Sequence, residues 1–157
     1  MSKNQVMLDY LSQCDGIGRL YFQYGRAGDN AMQLVTSSVE AATRAQYIDG
    51  SQPKRLDYSL IWYKPLAFLP VVTGAGAPVN GNVAELDDVQ SIIDWIGAQN
   101  AAHNYPDLGE DCQVDAISCL HDVPQLIGID TTFSPPLAKY TFTVRVEYLD
   151  LSHCIFK

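Results

Sequence analysis

The sequence predicts a single α+β domain over residues 1–157, with a mostly antiparallel sheet and two main helices packed on one side. Three observations carry that expectation. Tyr140, Phe142, Val144, Val146 and Tyr148 alternate with Thr141, Thr143, Arg145 and Glu147, the period of a half-buried antiparallel strand. Val83, Leu86, Val89, Ile93 and Ile96 form one apolar stripe at helical spacing. The order of elements is helix, several strands, helix, two strands, without repeat, low-complexity tract or linker. With 47% hydrophobic and 18% charged residues in 157, the chain has a globular composition and is long enough to bury about 68 to 70% of its unfolded surface.

The elements follow in order. Val6, Met7, Tyr10, Leu11 and Cys14 recur at helical spacing, with Ser2 as a cap and Gly16 and Gly18 as stops. Leu20, Phe22 and Tyr24 alternate with Arg19, Tyr21 and Gln23 and are followed by turn residues, which reads as a strand. NAMQLVTSS and TRAQYIDG read as two more. RLDYSLIWYKP is stronger, with Tyr58, Leu60 and Trp62 on one face and Ile61 and Tyr63 on the other, and Pro65 ends it. Residues 66–82, rich in Gly, Pro and small side chains, have no period and read as a long mobile loop. Asn82 with Glu85 resembles a capping box, so a second helix is expected over about 83–99, its acids Glu85, Asp87 and Asp88 in the first turns where the dipole favours them. CQVDAISCLHDV suggests a strand of ambiguous alternation, and the Ser134 to Pro136 run marks a boundary before the last strand.

Charge is unevenly distributed. From Pro65 to Ala138 there is no Lys or Arg but there are ten carboxylates: Glu85, Asp87, Asp88, Asp94, Asp107, Glu110, Asp111, Asp115, Asp122 and Asp130. The rest of the chain holds all ten basic residues and eight acids, so the net charge of -8 divides into -10 and +2. A negative field repels phosphate, which argues against any grip on nucleic acid, sequence-specific binding included. No apolar run suits a signal peptide or a membrane span, since Leu60 to Val72 is broken by Lys64, Pro65 and Pro70. Synthesis in the cytoplasm is expected.

Signs of catalysis are weak. Gly76 to Asn82 has the glycine spacing of a P-loop, but Asn82 stands where the lysine belongs and Val83 where the Mg²⁺-binding hydroxyl belongs. Cys112, Cys119, His121, His153 and Cys154 lack the close pair that pre-sets two zinc ligands, and Cys14 with the other three cysteines reads as a reduced, apolar thiol. Asp87 and Asp88 are helix neighbours that point apart. His103 reads as a solvated turn residue and His121 as a strand end. Neither an enzyme nor a cofactor is expected.

Four stretches, Gln46 to Gly50, the LDYSLIWYK strand, the ELDDVQSIIDWI helix and the closing AKYTFTVRVEYL strand, together with the first helix, resemble the tail terminator family of long-tailed bacteriophages, also described as minor capsid or tail completion proteins. The resemblance implies a virion structural protein at the head-proximal end of the tail. It would form a homo-oligomeric ring, a hexamer, that caps the tail tube and joins it to the head connector. Its partners would be its own copies, the major tail tube protein and a head connector or head completion protein, with no membrane. The acids at Asp94, Asp107, Glu110, Asp111, Asp115 and Asp130 would then form a DNA-repelling surface past which DNA slides. Phe68, Leu69, Val71 and Val72 would bury against a neighbouring subunit or the tube. The terminal SHCIFK segment has no counterpart in this scheme. Three alternatives stay open: another head-tail connector component, a small-ligand-binding domain with an aromatic pocket lined by Tyr58, Trp62 and Trp95, and a metal-dependent enzyme built on the acidic residues.

Overall fold

In a computed structural model of the chain, the described residues are 1–23, 32–36, 46–65, 70–72 and 78–155, without the side chains of 70–72 and 78–85. Phe68 and Leu69 lie outside them, as do Tyr24, Arg44, Gly74, Gly76 and Phe156. Val71 and Val72 are described in backbone only.

The first helix, α1 (Lys3–Leu11), starts where Ser2 Oγ accepts the Gln5 N–H at 3.3 Å and buries Met7, Tyr10 and Leu11. Strands β1 (Leu20–Phe22), β2 (Met32–Thr36) and β3 (Gln52–Pro65) follow. Two three-residue strands, β4 (Pro70–Val72) and β5 (Pro78–Asn80), pair as a separate hairpin, so the expected loop at 66–82 contains a short ladder. Helix α2 (Gly81–Ala101) begins two residues before the expected start and extends two past the expected end. Asn82 therefore sits inside the first turn, which holds no acid, and Glu85, Asp87 and Asp88 fall beyond the N–H groups that would stabilise them. Strands β6 (Cys112–Cys119), β7 (Gln125–Asp130) and β8 (Leu137–Asp150) complete the chain.

The sheet has six strands in a mixed, mostly antiparallel order, β1-β2-β3-β8-β6, with β7 also paired to β8. Among the described strands, β1 and β2 pair in parallel and the other pairs are antiparallel. The 14-residue strands β3 and β8 pair over their full length, Gln52 opposite Asp150 and Pro65 opposite Leu137. The far side of β8 is shared: β7 takes its first residues and β6 its last. One face carries Met32, Leu34, Tyr58, Leu60, Trp62, Phe142, Val144 and Val146, and α1 and α2 cover it. Tyr10 of α1 and Trp95 of α2 meet there with ring centroids 5.6 Å apart. The expected α+β fold is what forms.

Two local expectations are corrected. Residues 46–50 of the TRAQYIDG run form a turn, not a strand, because Gly50 adopts φ +89 and Asp49 Oδ1 accepts the Ser51 N–H at 2.9 Å. A Cβ on Gly50 would lie 2.2 Å from the His153 carbonyl oxygen, so the turn packs directly on the C-terminal segment. Ile155 N–H also donates to Asp49 O at 2.8 Å, which places the start of SHCIFK. The second correction is β7, a strand beyond the two expected after α2.

Candidate assembly surface

The sequence-predicted acids lie on α2, between α2 and β6, on β6 and at the end of β7. Asp94 is exposed on α2, Asp107, Glu110 and Asp111 are exposed between α2 and β6, and Asp115 is exposed on β6. A bulge explains Asp115. Val114 pairs with Tyr148 and Ala116 with Glu147, so Asp115 is the extra residue. The bulge also shifts the phase of β6: Cys112 and Val114 share the inward face before it, Ile117 and Cys119 after it. Gln90 ties α2 to the turn after β6, its Nε2 donating to Asp94 Oδ1 at 3.2 Å and to the Asp122 carbonyl at 2.9 Å.

Two of the acids have a local role that the sequence reading did not give them. Asp107 Oδ1 accepts the Gly109 N–H at 3.0 Å. Asp130 Oδ1 accepts both the Thr132 N–H at 3.0 Å and its hydroxyl at 2.6 Å, which holds the Asp130 carboxyl below the usual range. These are turn caps as well as charges. Among the described residues, no cation forms an ion pair with Asp94, Asp107, Glu110, Asp115, Asp122 or Asp130. Asp88 differs: buried Lys64 of β3 lies 3.5 Å from its Oδ2 and 4.1 Å from the Trp62 ring centroid.

Strand β7 and the turns flanking it expose apolar side chains. Six of the eleven exposed large hydrophobics among the described residues lie within 120–133: Leu120, Val123, Leu126, Ile127, Ile129 and Phe133. Leu126, Ile127 and Ile129 belong to β7, whose one described partner is β8, so no described strand pairs with its outer backbone edge. A second bulge, at Ile127, breaks the alternation. The legible signal was the run of Leu126, Ile127 and Ile129 between Pro124 and the Asp130 turn.

Chemistry elsewhere is sparse. Among the described residues, no cluster of three or more His, Cys, Asp or Glu could hold a metal. Cys112 and Cys119 stand at opposite ends of β6, roughly 23 Å apart at ~3.3 Å per residue. All four cysteines are free, and burial pushes the Cys119 thiol up to about 12, far from a reactive thiolate. His103 stacks edge-on against Tyr105 at the surface. The anticipated aromatic pocket is filled: Tyr58 and Trp62 are buried in the core, and the Tyr58 hydroxyl donates to Asn4 Oδ1 at 2.8 Å. A groove of about 490 Å³ opens instead between α1 and residues 104–109, lined by Val6, Asp9, Tyr10, Tyr105, Asp107 and Leu108 among others. No described helix is long and apolar enough to cross a membrane. No protein-family model matches the chain, and no curated protein is similar enough to be matched to it.

Proposed function

We propose that the protein is a non-enzymatic virion structural component, a ring-forming tail terminator that caps the tail tube and joins it to the head connector. The observations that support the reading are Asp94, Glu110 and Asp115, exposed with no cation paired to them among the described residues, and β7, an apolar strand whose one described partner is β8. An uncompensated acidic surface is unsuited to holding DNA and suited to letting it pass, because phosphates are repelled at every point of contact. An edge strand that exposes Leu126, Ile127 and Ile129 is suited to a protein partner, since an isolated chain gains nothing from wetting it.

Particular acids serve that surface unequally. Asp94, Glu110 and Asp115 have no turn to cap and are the stronger candidates for facing a lumen, whereas Asp107 and Asp130 also hold their own loops. Phe68, Leu69, Val71 and Val72 remain proposed contacts to a neighbouring copy or to the tube. The test is the mass of the purified chain together with electron microscopy of the chain mixed with tail tubes. Closed rings, free or seated on a tube end, are expected. A chain that stays monomeric and ignores tubes would sink the reading.

A second reading rests on the groove beside α1. Its two carboxylates, Asp9 and Asp107, and its apolar lining suit a cationic, partly apolar ligand. A cationic ligand copurifying with the chain would favour it over the structural role.

A further inference from the structure

We infer that β7 is the strand through which copies join, pairing antiparallel with the outer edge of β1, which no described strand occupies, in the next copy. This rests on the ring-forming reading and adds the elements that make the contact. Strand directions come first. Strand β7 runs opposite to β8, β8 opposite to β3, and β3 opposite to β2 and its parallel neighbour β1. Strands β7 and β1 therefore run oppositely at the two borders of the sheet. A copy related by rotation about an axis along the strands brings its β1 against β7 in antiparallel register, with the helices on the same face in both. Such a contact joins two different edges, so it repeats, and it closes into a ring where the rotation between copies divides a full turn.

Charge decides between this contact and the competing one, β7 against β7 across a two-fold axis. The two-fold pairing brings together two copies of an edge flanked by Asp122 and Asp130, with no cation paired to either among the described residues. At the β1 border, exposed Arg19 immediately precedes the strand. Like charges opposed across an interface are costly, and the mixed contact avoids them. The β1 border also offers an apolar group: Tyr21, on the central residue of β1, is exposed. Edge addition of this kind draws its affinity from main-chain hydrogen bonds and its selectivity from alternate side chains.

The test places a photo-crosslinking amino acid at position 127 in a mixture of unlabelled and ¹⁵N-labelled full-length chains, followed by mass spectrometry of the joined peptides. Crosslinks between chains, from residue 127 to a peptide containing 19–23, are expected. Capture of residues 120–133 of a second chain would show two-fold pairing, and capture of residues 66–82 of the same chain would show that the edge is covered from within. Either overturns the proposal. A companion variant, Leu126→Lys, should abolish ring formation while leaving the monomer's circular dichroism unchanged. Rings that persist in Leu126→Lys reject the β7 contact and leave the ring-forming reading intact. A wild-type chain that never assembles, with or without tubes, rejects both.

Discussion

The paired centre of the sheet and its β6–β7 border are made from similar residues and behave differently. At the centre, β3 and β8 run fourteen residues without a bulge, and several polar residues pair across them. Arg145 donates from Nε and Nη2 to the two oxygens of Asp57 at 2.8 Å each, Lys54 pairs with Asp150, and Thr141 Oγ1 donates to the Leu60 carbonyl at 3.0 Å. At the border, two bulges interrupt β6 and β7, the acids meet water, and Leu126, Ile127 and Ile129 stay about half exposed. Stability is concentrated in the first region, and exposed apolar surface in the second. A strand pair that is complete has nothing to offer a partner.

That contrast is most easily broken at the centre. Phe142 is 1% exposed, opposite Leu60 and under the helices, and Phe142→Ala should cost about 3 to 5 kcal/mol in urea-induced unfolding. A loss below about 1 kcal/mol would mean that the core packs less tightly than its burial implies. Next is the Asp57–Arg145 pair, both side chains largely shielded. Asp57→Ala strands the guanidinium and should cost about 1.5 kcal/mol.

The pair also sharpens the picture through pH. The Arg145 guanidinium holds the Asp57 carboxyl below the ordinary carboxylate range. The folded value is depressed, so the contribution is present above the unfolded value of about 3.9 and is lost as pH falls through the folded value. Wild type should therefore lose more stability than Asp57→Asn on acidification below about pH 4, as followed by denaturant midpoints at each pH. Gly50→Ala tests the turn at the end of the β3–β8 pair. With φ +89 and a backbone oxygen 2.2 Å from the new Cβ, the turn must shift off the C-terminal segment, at about 1 to 3 kcal/mol. The smallest effect on folding belongs to the border. Leu126→Lys should change stability by no more than about 0.5 kcal/mol, because that side chain already meets water.

The same division separates what could be read in the sequence from what could not. Strands β3 and β8 were legible because uninterrupted alternation is what an unbulged, half-buried strand produces. Helix α2 was legible from its stripe, but its start was not, since Gly81 begins it and the capping-box pattern at Asn82 pointed two residues too late. The ambiguous alternation of β6 is the phase shift at Asp115, which no single-period template can match. Strand β7 escaped because its bulge and Gly128 interrupt the pattern and because its apolar residues do not face a core. Residues 46–50 were rich enough in β formers to read as a strand until Gly50 turned the chain. For the candidate site, the sequence placed the acids, but only the fold separates Asp107 and Asp130, which cap turns, from Asp94, Glu110 and Asp115, which do not.

The claim that the border is built for assembly is tested most directly by electron microscopy of the purified full-length chain, alone and mixed with tail tubes. Closed rings of one stoichiometry, free or capping tube ends, are expected. Particles of monomer size in both samples, with bare tube ends, would contradict the account.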